Sequence, residues 1–124
     1  MNRGQRYQAV QATTASPERL MVLLFETALR HMRASAVALE EGRRHEGVKL
    51  ATKASDIVIE LHATLDRSRA PALCDQLAAL YRFVCEKLLE AATIGDPQAA
   101  RDAERVFAPL ADAFERVVSA GATR

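Results

Sequence analysis

The sequence has few residues that break helices or form rigid cross-links. Its 124 residues include five glycines, four prolines, two cysteines and no tryptophan, and aromatic residues make up 5%. β-branched residues do not alternate with polar ones, so half-buried strands are not predicted. Hydrophobic residues nevertheless reach 49%, most of them alanine and leucine. This composition excludes a disordered chain and favours one all-helical domain with a real core.

Excess charge of one sign is also absent. Seventeen basic residues face sixteen acidic ones, for a formal net charge of +1. A balance this close to neutral gives no field that would hold a phosphate backbone, so we expect no nucleic acid partner. No apolar run approaches the roughly 18 residues that span a bilayer, and MNRGQRYQ has no apolar core of a signal peptide. We therefore expect a cytoplasmic protein without membrane insertion.

Sequence motifs of disulfides, metal sites and catalytic sites are missing as well. Cys74 and Cys85 lie on one predicted helix, about 16 Å apart, which is too far for a disulfide. They have neither CxxC spacing nor a paired histidine, so we expect no metal site. The sequence contains no Gly-rich phosphate loop, no HExxH and no GxSxG. We expect no catalytic residues and no cofactor.

Apolar residues recur at steps of three and four along most of the chain, which predicts four helices. Short connections between helices of about 20 residues imply antiparallel neighbours, and hence an up-down-up-down four-helix bundle. Ser16-Pro17-Glu18 is typical of a helix start, and Gly42 of a helix end. The predicted boundaries are an irregular segment 1–15, a bundle 16–120 with helices at 16–42, about 46–66, 71–94 and from 97, and a frayed end 121–124.

Pro109 falls inside the fourth predicted helix. Proline removes one backbone hydrogen bond and clashes with the preceding turn. We therefore predict a kink or break near residues 105–109, with a short terminal helix beyond it.

Two function classes fit a helical bundle on its residues alone. An exposed histidine could make it a histidine phosphotransfer domain, and His31, His45 and His62 are the candidates. None of them is followed by the Lys-Gly that such domains usually carry. A structural module that self-associates through its wide apolar faces is the other class, and we expect a monomer or a weak homo-oligomer.

Several motifs occur in a specific order. Tyr7 is followed by TASPERL at 14–20 and LLFETAL at 23–29. KASDIVIEL at 53–61 and LAALYRF at 77–83 come next, and Gly95-Asp96 closes the series. In this order and spacing the sequence resembles the flagellar secretion chaperone family, FliS, from Tyr7 to about Phe114. It departs from the family pattern at Phe25, where tyrosine is commoner, at Phe114, where tryptophan is usual, and at Pro109.

The resemblance implies a bundle that escorts flagellin. Its client is the C-terminal segment of flagellin, which is disordered when free and helical in the filament, and export apparatus components are further candidate partners. An apolar band wider than intramolecular packing needs can offer a groove to such a segment. The expected groove residues are Ile57, Leu61, Leu77, Leu80, Tyr81 and Val84. We further expect Tyr7 and Val10 to cover this groove when no client is bound.

Overall fold

Four long helices form the structure, a computed structural model that describes residues 16–122. The helices are α1 (Pro17–Glu40), α2 (Arg44–Ala63), α3 (Pro71–Ile94) and α4 (Pro97–Ala122). Helix α1 packs against α2 and α4, and α3 packs against α2 and α4, so the four helices close into a ring of neighbours. Short connections make each neighbour antiparallel. The predicted four-helix bundle is confirmed.

Helix α1 begins and ends where its capping residues predict. The Ser16 side chain accepts a hydrogen bond from the backbone N–H of Arg19 at 3.2 Å. At the other end Gly42 adopts a φ of 79°, which few other residues tolerate. The N–H of Gly42 donates to Leu39, and that of Arg43 donates to Ala38, which is the paired pattern of a Schellman motif. This tight stop lets α2 begin at Arg44, two residues before the predicted start.

The second helix also ends earlier than its apolar pattern predicts. Helix α2 stops at Ala63 rather than at about residue 66. The Thr64 hydroxyl donates to the carbonyl of Leu61 at 2.7 Å, and the Leu65 N–H donates to His62 at 3.2 Å. These local bonds close the last turn, so Leu65 packs against the core from the loop.

The core is filled by a few large side chains between many alanines. Alanine lets helix axes approach closely, and each large side chain then fills the space that the alanines leave. The largest fully buried apolar side chains are Phe107, Met32, Ile57, Leu61, Leu88, Val58 and Val84.

Helix α4 is continuous through Pro109, so the predicted break with a separate terminal helix is wrong. Pro109 is exposed, and water can therefore solvate the carbonyl that lacks its usual N–H partner. Phe107 is fully buried on one side of the proline, and Phe114 is packed against the core on the other. Packing on both sides thus keeps one helix across the interruption. The helix also includes residues 121 and 122, which we predicted to lie in the frayed end.

Helices α1 and α2 approach closely at Gly47. A Cβ on this residue would lie 2.6 Å from two side-chain atoms of Leu39, which is itself buried. The buried Ser35 hydroxyl donates to the Gly47 carbonyl at 2.7 Å across the same contact. Glycine is therefore required here by the approach of the two helices rather than by backbone conformation.

We predict that Gly47→Ala destabilises the bundle by about 1–3 kcal/mol, because the new methyl group overpacks the contact with Leu39. Gly121→Ala is the matched control, since a Cβ at Gly121 would meet nothing within 4 Å. That control should be neutral or slightly stabilising, because alanine favours helix over glycine. Urea unfolding of both variants measures the difference, and equal midpoints would contradict the close-approach account.

Candidate functional site

An open apolar groove lies at the end of the bundle where α1 begins and α4 ends. We call it the end groove; its volume is about 330 Å³. That volume is at the lower end of the range of small-ligand sites. Helix α1 and the α2–α3 connection supply Met21, Phe25, Thr64 and Leu65. Helices α3 and α4 supply Leu73, Leu77, Tyr81, Leu110, Ala113, Phe114 and Val117.

The floor of the end groove is buried and aromatic. Phe25 and Tyr81 are 5% and 4% exposed. The ring of Phe25 stacks on Phe107 at a centroid distance of 5.4 Å and on Phe114 at 5.1 Å. Offset aromatic pairs at this separation are favourable beyond their buried area. The three phenylalanines therefore tie α1 to α4 beneath the groove.

The rim of the end groove is exposed and also apolar. Leu73 on α3 is 54% exposed and Val117 on α4 is 70% exposed. Both side chains line the groove and still face water. An apolar floor under an apolar rim can receive the side chains of an amphipathic helix.

Hydroxyl groups contribute little polarity to the end groove. The Thr64 hydroxyl is engaged by the Leu61 carbonyl. Burial raises the pKa of the Tyr81 phenol above its ordinary value, so the group is neutral at physiological pH. The ring of Tyr81 also meets the edge of His62 at a centroid distance of 6.2 Å. The groove thus selects for apolar surface and offers no ionised group in its floor.

The structure separates the six residues that the sequence analysis assigned to a client groove. Leu77 and Tyr81 line the end groove, and Leu80 is 37% exposed outside it on α3. Ile57, Leu61 and Val84 are at most 1% exposed and belong to the bundle core. Tyr7 and Val10 lie outside the described residues.

Groove residues on α1 and α4 were missed by the sequence analysis. Met21, Phe25, Leu110 and Phe114 belong to regular apolar stripes, and such stripes ordinarily mark core positions. One signal in the sequence could have found them. Met21 and Phe25 lie in the part of the α1 stripe that follows Ser16, and Leu110 and Phe114 lie in the part of the α4 stripe that follows Pro109, so both pairs are near a helix end. In an antiparallel bundle the start of α1 lies beside the end of α4, and the short loops did predict that antiparallel order.

Arg43 and Arg44, between α1 and the body of α2, are engaged within the chain. Arg44 donates from its guanidinium to the carbonyls of Thr93 and Ile94, both at 3.1 Å, and so closes the end of α3. Arg43 pairs with Glu41 and Glu46. The guanidinium groups of Arg43 and Arg44 are therefore used in contacts within the bundle.

The cysteines and the metal-ligating types of side chain form no reactive or metal-binding site in the described part of the chain. Cys74 and Cys85 are free thiols, and burial raises the pKa of Cys85, which opposes thiolate formation. Within residues 16–122, no three or more His, Cys, Asp or Glu side chains are grouped so that they could hold a metal ion. None of the helices in that range is long and apolar enough to span a membrane. The geometry is that of a helical binding protein built around an apolar groove.

Comparison with known proteins gives the family. The family model described as flagellar protein FliS matches residues 1–121. The flagellar secretion chaperone FliSB of Pseudomonas aeruginosa is 32% identical over 100 residues, which are 77% of this chain and 79% of that protein. The flagellar secretion chaperone FliS of Escherichia coli is 29% identical over 103 residues, covering 82% of this chain and 76% of the relative.

A more distant relative and a solved structure agree. The flagellar secretion chaperone FliS of Bacillus subtilis is 26% identical over 112 residues, which are 90% of this chain and 83% of that protein. The crystal structure of a flagellar chaperone from bacteria superposes with a TM-score of 0.73 at 18% identity, over 95% of this chain and 98% of that one. The latter match shows the shared fold.

The chain therefore belongs to the FliS family of flagellar secretion chaperones. Its role is that of an export chaperone in flagellum assembly and not that of an enzyme. This assignment gives no support to the phosphotransfer alternative for His31, His45 or His62.

We predict that Phe25→Ala destabilises the protein by about 3–5 kcal/mol, because it leaves a cavity beneath two stacked rings. Phe83→Ala is the control. Phe83 is 37% exposed, and the Lys87 ammonium lies over its ring, 5.7 Å from the centroid. Its loss should cost about 1 kcal/mol or less. Thermal unfolding monitored by circular dichroism compares the two variants. An equal loss of stability in both would contradict a stabilising role of the phenylalanine stack.

Proposed function

We propose that the protein binds the C-terminal segment of flagellin in the cytoplasm and seats an amphipathic helix of that segment on the end groove. The observation that carries the proposal is the groove itself, an apolar floor open to water and bordered by exposed leucine and valine. A monomeric protein rarely leaves such a surface without a partner. Family membership supports a flagellar client, since the relatives are flagellar secretion chaperones.

The groove suits a client that is disordered until it binds. A disordered segment loses conformational entropy on binding, at a cost of roughly 2–5 kcal/mol or more, so the complex forms and releases reversibly. Apolar side chains at every third and fourth position of the bound helix would reach Leu77 and Tyr81 in the groove. While the segment is held, its apolar face is unavailable for polymerisation.

The six residues predicted from sequence divide into two roles in this proposal. Leu77 and Tyr81 contact the client, and Leu80 extends the contact along α3. Ile57, Leu61 and Val84 act indirectly, because they belong to the same buried cluster as Tyr81 and hold α3 against α2.

The segment before Ser16 is proposed as a displaceable cover. Ser16 lines a second cavity that shares Phe114 and Val117 with the end groove. An extended chain advances about 3.3 Å per residue, so Val10 can reach about 20 Å from Ser16 and Tyr7 about 30 Å. Both side chains are therefore within reach of the groove, where they would compete with the client.

Leu73→Glu should weaken binding of the cognate flagellin C-terminal peptide at least about tenfold, because it places a charge at the apolar rim. Isothermal titration calorimetry measures the affinity, and circular dichroism measures the gain of peptide helicity. Leu89→Glu is the matched control, since Leu89 is on the same helix, 62% exposed and outside the groove. No heat and no helicity with the unaltered protein would refute the function, whereas equal losses in both variants would refute the location.

Deletion of residues 1–12 should tighten binding of the same peptide by a few-fold, because it removes the competitor for the groove. The double substitution Tyr7→Ser with Val10→Ser should have the same direction of effect, since it keeps the length of the chain. Calorimetry on both variants gives the affinity. An affinity equal to that of the unaltered protein would show that the segment does not compete.

A further inference from the structure

Helix α4 consists of two halves that pack differently. Before Pro109, Ala99, Ala100, Ala103 and Phe107 are 0–1% exposed. After it, Ala111 is 7% exposed, Phe114 is only partly buried, and Val117 is 70% exposed. The first half is thus sealed into the core, whereas the second half forms one wall of the end groove.

The first half is also held from two sides. Glu104 pairs with Arg33 of α1 at 2.9 Å, and Arg101 pairs with Glu40 of α1 at 2.7 Å. On the other side Asp102 lies 3.9 Å from the Lys87 ammonium of α3. Contacts to both neighbouring helices fix this half in position.

The second half is tied to α1. Phe114 stacks on Phe25, and Arg19 reaches both Glu115 at 3.8 Å and the Ser119 hydroxyl at 3.3 Å. On the side of α3 the end groove separates Leu110, Phe114 and Val117 from Leu73 and Leu77. The wall is therefore anchored along one edge and open along the other.

Pro109 lies at the junction of the two halves. It has no N–H for the carbonyl of Arg105, and its ring crowds that carbonyl. Both Arg105 and Pro109 are exposed, so the interrupted turn lies on the water-facing side of the helix. Prolines inside helices are the commonest place for a kink, and hinges are a few residues that absorb a change in backbone angles.

We propose that Pro109 is a hinge about which residues 110–122 swing away from α3, so that the width of the end groove is adjustable. The groove in its present width can receive the side chains of a docking helix. A whole helix is about 10–12 Å across, so its backbone needs a wider groove. Outward movement of the wall would let the backbone of a docking helix approach the floor. This use of the hinge rests on the proposed function, whereas the hinge itself is a property of the free protein.

Hydrogen–deuterium exchange of the free protein tests the hinge. Pro109→Ala restores the missing hydrogen bond and removes the clash, so amide exchange over residues 110–120 should slow at least about tenfold. Exchange in α1, α2 and α3 should change much less. Pro97→Ala is the matched control, because Pro97 is the first residue of the same helix, where the N–H has no partner within the helix. This control should leave residues 110–120 unchanged.

Exchange that is unaltered in Pro109→Ala, or that slows equally in all helices, would overturn the hinge. Stopped-flow fluorescence with a labelled flagellin C-terminal peptide then tests whether movement at the hinge admits the client to the end groove. A hinge that admits the client predicts an association rate constant several-fold lower in Pro109→Ala than in Pro97→Ala. Slower exchange with equal association rates would overturn that use. Failure of the unaltered protein to bind the peptide would refute the proposed function and leave the exchange result to decide the hinge.

Discussion

The contact of Phe25 with Phe107 and Phe114 is the interaction on which the rest of the structure depends. Phe107 precedes Pro109 in the sequence and Phe114 follows it, and the single ring of Phe25 on α1 stacks on both. This stack holds α4 as one helix through a residue that should interrupt it. The same three rings support the floor of the end groove, so the continuity of the helix and the shape of the site have one cause.

A compact core and an open groove coexist because alanine and large side chains are distributed unevenly along the bundle. At the end of the bundle that contains Gly47, Ser35 and Ala99, small residues bring the helices together. At the opposite end, larger side chains such as Met21, Phe25 and Phe114 line the open groove. The close helix contact at Gly47 and the end groove therefore lie at opposite ends of the bundle.

Much of the fold was predictable because its signals are local. Ser16, Gly42 and Gly95 act on the turns beside them, and periodic apolar residues identify buried faces without knowledge of their partners. The predicted break with a separate terminal helix failed at Pro109, where Phe107 and Phe114 pack against distant residues on both sides of the proline. The candidate site was harder, because a client groove and a core stripe have the same sequence pattern. Leu77 and Tyr81 line the groove, while Ile57, Leu61 and Val84, chosen by the same criterion, face the interior.

The sequence by itself determined the four helices, their order, the absence of the motifs of an enzyme and, through its ordered motifs, the resemblance to FliS. Those properties depend on residue type and spacing along the chain. Only the tertiary structure decided which apolar residues remain in contact with water. Exposure depends on how far neighbouring helices stand apart at each level of the bundle, and that distance is set by side chains remote in sequence, such as Phe25 against Phe114 and Gly47 against Leu39.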